Sequence, residues 1–390
     1  MIVGVPRESF PGERRVAMVP AVIPSLTKAA LEVVIEAGAG ASAGYLDADF
    51  TAKGAKILPS RSEVFAKADI ILQVLCYGSN DRTGKADVPL YRNGQVLIGF
   101  LRPLGSLEPL QDIAAKGVTS FSIEMMPRTT RAQSMDALSS MATMSGYKAV
   151  VMAADKLPRI FPMLTTAAGT ITPARVFIIG CGVAGLQAIA TAKRLGAVVS
   201  AYDLRPVVKE QVQSLGGRFV EIAVEAKDAQ DARGYATAQG EEFYQKQRAL
   251  LAKVVSESDV VITAAVIPGK KSPVLVTKEM VAAMAPGSVI VDLAAERGGN
   301  CELTKAEDVI VVHGVTIDGA INLASTVPYH ASQMYAKNLA TFLLYMVKEG
   351  KLNINPADEI VRDTLMTQGG DIVNARLREI YKLPALAAKS

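Results

Sequence analysis

Short apolar runs alternate with helix-spaced segments along the first 130 residues. MIVGV, EVVIEAG, DIILQVL and QVLIGF are compact blocks of β-branched and aliphatic residues, short enough for strands, whereas PAVIPSLTKAA and LEPLQDIAAKG place their apolar residues three and four apart. Strands that alternate with helices in this way predict a parallel sheet. From Ser134 the pattern of SMDALSSMATMSGYKAVVMAADKL predicts one helix that runs to Pro158 and is long enough to bridge two lobes. The Pro/Gly-rich FPMLTTAAGTITPA that follows reads as a loop entering a second domain. There RVFIIG, AVVSAYD, DVVITAA and SVIVDLA are near-continuous apolar strands, as expected where helices cover both faces of a sheet. After about residue 325 the alternation stops, and YHASQMYAKNLATFLLYMVKEG predicts a single helix packing back on the first lobe. The polar stretch 223–243 is the best candidate for a mobile loop.

Composition narrows the class. A chain of 390 residues exceeds the size at which one core usually divides, and with half its residues hydrophobic it has ample material for two. The net charge of +4 is spread along the chain without a basic block or an aromatic-rich platform, which argues against nucleic-acid binding. Cys76, Cys181 and Cys301 lie far apart without C-x-x-C spacing; this disfavours zinc or a disulfide framework and suits a reducing, cytoplasmic compartment. Charges follow the N-terminus at once, and no run approaches the ~18 apolar residues that span a bilayer. The longest candidate, LATFLLYMV at 339–347, is half that length. No direct membrane insertion is expected, so a membrane would be met through a partner.

Residues 174–205 carry the first chemistry. Gly180, Gly182 and Gly185 follow an apolar strand and open a helix, and the next strand ends in Asp203, eighteen residues past the last glycine. A lone G-x-G-x-x-G is weak, but this strand–turn–helix–strand–acid context is a strong dinucleotide signature. Gly180 permits the tight turn, Gly182 lets a pyrophosphate approach the backbone, and Gly185 lets helix and strand pack closely. The helix start offers free N–H groups and a positive dipole end to the phosphates. Asp203 is suited to accept from the adenosine ribose and to repel a 2′-phosphate, favouring NAD; Arg205, two residues on, counts the other way. Cys181 reads as filler in the motif. The expected fold is therefore α/β: two Rossmann-like lobes, doubly wound with mainly parallel sheets and a cleft between them. The first lobe is discontinuous, 1–138 plus 327–390, and the NAD-binding lobe covers 139–326.

A second cluster, MPRTTRAQSMDALSS at 126–140, gathers Arg128, Arg131, Gln133, Asp136 and Ser139 without a histidine, cysteine or lysine. If the helix begins at Ser134, Gln133, Asp136 and Ser140 share one face, opposite Met135, Leu138 and Ala142, and Arg128 can pair with Asp136. An N-terminal capping network is the bland reading of the same residues.

RAQSMDALSS, PARVFIIGCGVAGLQAIATAKRLGA, KEQVQSLGG, GYA, VIPGKKSPVLVTKEMV, PGSVIVDLA and GGNCE together closely resemble the NAD(H)-binding domain I of the proton-translocating, Re/Si-specific NAD(P) transhydrogenases. The similarity runs from VGVPRESFPGERRVAMVP to about residue 345 and extends to alanine dehydrogenase, a relative of the same fold. The transhydrogenase resemblance implies direct hydride transfer from NADH to NADP⁺ on a partner domain, a reaction with no proton exchanged at carbon. Such chemistry needs two nicotinamides held within ~3–3.5 Å rather than a general acid or base. It further implies that Arg128, Asp136 and Ser139 contact the nicotinamide end of NAD(H) while Gln133 reaches towards NADP(H). Val183, Asp203, Leu204, Arg205, Gly234, Gln247 and Val266 match positions lining the rest of the pocket. Tyr235 falls on a loop that closes over the nucleotide. The departures are Thr129 and Thr130, where the family commonly has isoleucine and serine.

Alanine dehydrogenases use a lysine and a histidine for proton handling; the resemblance places Gln73 and Arg102 at those positions. Arg15, whose counterpart there holds the substrate carboxylate, reads as a structural ion pair with Glu8 or Glu13. His313 and His330 read as structural. The expected protein is thus a homodimeric NAD(H)-binding transhydrogenase subunit. Its NADP(H)-binding and transmembrane units lie on separate chains, and it sits in the cytoplasm against the inner or plasma membrane through those partners. The alternatives are an alanine dehydrogenase-like amino-acid dehydrogenase and a non-catalytic NAD-binding regulator.

Overall fold

The computed structural model of the chain describes residues 1–221, 241–267 and 269–386. These divide into two compact units, Met1–Met141 with Ser325–Ser390, and Ala142–Ala324.

In the first unit, the β-branched runs form the sheet expected of them. Six strands are parallel: Ile2–Val5, Glu32–Glu36, Lys56–Leu58, Ile70–Leu75, Val96–Phe100 and Thr119–Ser122. In space they run third, second, first, fourth, fifth, sixth, which is the Rossmann order. The end of the chain then adds two strands not anticipated from the sequence. Leu365–Gln368 lies antiparallel to Thr119–Ser122, and Asp371–Ile372 turns back along it. Ser120 and Thr367 join their hydroxyls at 2.7 Å inside this junction.

The second unit repeats the design. Its sheet runs Arg218–Phe219, Val198–Tyr202, Arg175–Ile179, Val260–Thr263, Val289–Asp292, Val315–Asp318 and Val309–Val312, all parallel except the last. Period two divides each strand between two cores. Val176, Ile178, Val260 and Ile262 face one cluster with Ala149, Val150, Ala153 and Ile189. Phe177, Ile179, Val261 and Ile290 face another with Leu251, Val255, Met280 and Val281. Apolar residues on both faces explain why these strands read as unbroken hydrophobic runs.

Three expectations need correction. The long helix covers Ala137–Lys156 and does not start at Ser134; Thr130–Met135 is a separate 3-10 turn, and Asp136, at ψ 83, breaks the two apart. FPMLTTAAGTITPA is not a plain loop, since Leu164–Thr166 and Gly169–Ile171 pair as an antiparallel hairpin. Its Thr and Ile suit strands, a signal outweighed in the sequence by the surrounding Pro and Gly. YHASQMYAKNLATFLLYMVKEG is helical over Pro328–Met346 only, after which Val347–Lys348 and Lys351–Leu352 turn back as a small hairpin. The candidate mobile loop lies outside the described residues up to its last three positions, which begin the helix Glu241–Ser256. No helix among the described residues is long and apolar enough to cross a membrane.

Candidate functional site

In the second unit, Arg175–Ile179 and its parallel neighbours Val198–Tyr202 and Val260–Thr263 end side by side, and chain order reverses between them. Open α/β sheets bind ligands at such a switch point, beyond the carboxyl ends of the strands. The glycine turn sits there. Gly180 has φ +95, a conformation that disfavours a side chain, and a Cβ on it would lie 2.8 Å from the backbone of Ala264 and Ala265. A Cβ on Gly185 would fall 1.9 Å from the Gly180 carbonyl oxygen, so helix and turn touch through bare backbone. Around Gly182 a Cβ would meet nothing within 4 Å, leaving space in front of the helix Val183–Arg194. That helix has no side-chain cap and no acid in its first turn, and Lys193 and Arg194 lie in its last. Its N-terminal N–H groups are therefore offered to an anion without an internal competitor.

Asp203 is more occupied than the sequence suggests. Its Oδ2 accepts from Cys181 N at 2.7 Å, so the carboxylate also fixes the glycine turn. Arg205 closes on it with Nε and a terminal nitrogen, each at 3.0 Å, and with its own backbone N–H at 2.8 Å. The arginine counted in favour of a 2′-phosphate is thus paired with the aspartate counted against one. Cys181 is buried and donates to the Tyr202 carbonyl; burial pushes its thiol up, which suits filler rather than redox chemistry. Gln247 is buried with Nε2 donating to the Tyr202 hydroxyl at 2.8 Å, and burial pushes that phenol up to about 12. Leu204 is partly buried, and Val183 and Val266 are each 40% exposed, at the turn and beyond the end of the neighbouring strand. Gly234 and Tyr235 lie outside the described residues.

In the first unit, the polar cluster is built differently from the expected helix face. Both Asp136 oxygens serve Ser139, accepting from its N–H at 2.9 Å and its hydroxyl at 2.5 Å, so Asp136 caps the helix Ala137–Lys156. Gln133 belongs to the 3-10 turn, and the helical spacing that put it on one face with Asp136 and Ser140 does not apply. Arg128 and Gln133 are exposed, whereas Asp136 and Ser139 are partly buried. Thr129 Oγ1 is buried without a hydrogen-bond partner.

The remaining candidates are structural in their contacts. Arg15 is buried and grips Glu13 through Nε at 2.8 Å and a terminal nitrogen at 2.6 Å. Gln73 is buried with Nε2 on Asp87 at 3.1 Å, and Asp87 is held bidentately by Arg61. Arg102 has φ +50 and lies 3.9 Å from Asp81. Neither Gln73 nor Arg102 can carry a proton at neutral pH. His313 and His330 are both exposed, the latter edge-on against Tyr329.

The carboxylate missed by the sequence reading is Glu8. It is buried, accepts from Val74 N at 2.6 Å and Leu75 N at 3.1 Å, and burial, with Glu13 nearby, raises its pKa to about 8. No local motif announces it, because its partners are sixty-six and sixty-seven residues away.

Comparison with known proteins agrees with this layout. Two family models match almost end to end: "Alanine dehydrogenase/PNT, N-terminal domain" over residues 4–145 and "Alanine dehydrogenase/PNT, C-terminal domain" over 149–375. The first portion of the NAD(P) transhydrogenase alpha subunit of Rhodospirillum rubrum, a chain of its own, is 46% identical over 380 residues, covering 97% of this chain and 99% of that protein. The solved structure of a transhydrogenase from Sinorhizobium meliloti has a TM-score of 0.86 at 45% identity, covering 96% of this chain and 100% of that one. Alanine dehydrogenase of Mycolicibacterium smegmatis is more distant, 29% identical over 393 residues with 98% of each chain covered. The chain belongs to the alanine dehydrogenase/PNT family, and within it stands far nearer to transhydrogenase alpha subunits than to alanine dehydrogenase.

Proposed function

We propose that the chain is the NAD(H)-binding subunit of a proton-translocating transhydrogenase, which transfers hydride directly from NADH to NADP⁺ held by a partner domain. The observation that carries this reading is the pairing of a dinucleotide turn at the switch point with a polar turn that contains no proton carrier. When bound, NADH supplies the hydride. Gly180, Gly182, Val183 and Gly185 take the pyrophosphate at the helix start, where N–H groups and helix dipole meet its charge. Asp203 with Arg205 and Leu204 takes the adenosine ribose, and Gly234, Tyr235, Gln247 and Val266 complete the pocket. Arg128, Asp136 and Ser139 hold the nicotinamide end, and Gln133 reaches for the second nucleotide. Their task is orientation, because hydride passing between two nicotinamide rings leaves no proton to move. An amino-acid dehydrogenase needs a proton carrier, and Gln73 and Arg102 stand at the positions where its family has one.

The subunit works as a homodimer beside NADP(H)-binding and membrane-spanning partner chains, through which it meets the cytoplasmic face of the membrane. What supports a self-association surface is the hairpin. Met163, Leu164 and Ile171 are 64%, 46% and 49% exposed there, a concentration of apolar surface on a two-stranded arm.

The test mixes the purified chain with NADH and an NADP(H)-binding transhydrogenase domain and follows a single turnover. Rapid reduction of NADP⁺ is expected. Gln133→Ala should slow transfer by roughly tenfold or more with NADH affinity nearly unchanged, and Asp203→Ala should weaken NADH binding instead. Turnover of pyruvate and ammonia by the chain alone would overturn the proposal.

A further inference from the structure

The 3-10 turn Thr130–Met135 is a weak element by itself. It has six residues and no side-chain cap at its start, and hydrogen-bond geometry in such turns is poor. Its shape must come from what grips it, and three contacts within the first unit do so. Ala132 and Met135 are buried, which anchors the inner face. The Ser134 carbonyl accepts from Asn338 Nδ2 at 2.9 Å, tying the turn to the helix Pro328–Met346. On the outer side Arg131 reaches residues more than two hundred positions away. Its two terminal nitrogens lie 3.2 and 3.3 Å from the two oxygens of Asp358, and one of them is 3.5 Å from Glu359 Oε1. The guanidinium also sits 6.0 Å from the centre of the Tyr345 ring.

Asp358 is a fixed partner. Its Oδ1 accepts from Ile360 N at 2.8 Å, capping the helix Glu359–Thr364, and its Oδ2 accepts from the Tyr345 hydroxyl at 2.5 Å. Asp358 is therefore held at both oxygens before Arg131 arrives. Between the gripped positions 131 and 134, Gln133 is left exposed.

We propose that Arg131 and Asp358 are positioning residues for hydride transfer: the C-terminal segment, through this pair, sets the turn from which Gln133 and Asp136 orient the nicotinamides. The inference rests on the function proposed above. Partly exposed ion pairs add little to stability, so the pair's role is geometric. A displacement of about 1 Å at a site of this kind costs on the order of a hundredfold in rate.

The experiment uses the full chain with an NADP(H)-binding transhydrogenase domain and compares Arg131→Met, Asp358→Asn, their double variant and Gln133→Ala. Asparagine still caps a helix, so Asp358→Asn removes the charge facing Arg131 while sparing the fold. Single-turnover transfer, NADH affinity by fluorescence and melting temperature are measured on each. Both single variants should slow transfer by about three- to thirtyfold with NADH affinity within about twofold and melting nearly unchanged, and the double should be no slower than the slower single. Arg131→Lys, which keeps the charge without the bidentate fork, should be intermediate and serves in place of the methionine variant if that one melts early. Asp358→Asn at the wild-type rate beside a slow Arg131→Met would mean that Arg131 acts by direct contact and would overturn the inference. Slow transfer in Gln133→Ala with full rates in Arg131→Met and Asp358→Asn would defeat the inference alone. Full transfer in Gln133→Ala would defeat the functional reading and the inference with it.

Discussion

Glu8 and Asp203 are both carboxylates held by backbone N–H groups, yet their surroundings set them apart. Asp203 is met by Arg205 across a short bidentate pair, so its charge is matched on the spot. Glu8 has the amides of Val74 and Leu75 and a weaker pull from Arg61 against its burial, and it sits close enough to Glu13 to feel like charge. With a folded-state pKa near 8 against about 4.5 unfolded, the folded chain holds the extra proton through that window. Glu8 thus contributes stability that is fully present below about pH 4.5 and lost as pH rises through about 8, at no more than ~1.4 kcal/mol per pH unit. Melting followed from pH 5 to 8 should fall more steeply for the native chain than for Glu8→Gln, which has no proton to lose. Equal slopes would show that Glu8 is ionised throughout. Asp203 announced itself by spacing from the glycines; Glu8 could not, since only the folded sheet brings Val74 to it.

At the scale of elements, the helix Ala137–Lys156 was visible in the sequence but its beginning was not. Apolar spacing continues smoothly back to Ser134, whereas the backbone switches from a 3-10 turn to an α-helix at Asp136 because that carboxylate caps Ser139. Capping and orienting the nicotinamide are separable duties. Asp136→Ala should cost roughly 1 kcal/mol of stability and also slow transfer, while Asp136→Asn, which retains a competent cap, should keep stability. If the asparagine variant transfers hydride at the native rate, the charge of Asp136 is not used in chemistry and the residue is a cap. Thermal melts beside single-turnover rates decide it. The hairpin of Leu164–Thr166 and Gly169–Ile171 was missed for a related reason: three-residue strands bounded by Pro and Gly carry too few alternations for periodicity to register.

At the scale of the whole molecule, the exposed hairpin matters most for assembly. Replacing residues 163–172 by a short Gly/Ser linker should leave NADH binding intact and shift the sedimenting species from dimer towards monomer at micromolar concentration. An unchanged dimer would place the association surface elsewhere. The α/β class, the parallel sheets, the glycine turn with its acid and the family were all determined by local order along the chain, because period-two and period-3.6 patterning and a thirty-residue motif need no distant partner. Tertiary structure alone decided the rest. The last strands of the first sheet, the protonated state of Glu8, and the grip of Asp358 on Arg131 each join residues dozens to hundreds of positions apart. Such pairings follow from packing and burial in the folded core, which a linear pattern of polar and apolar residues does not encode.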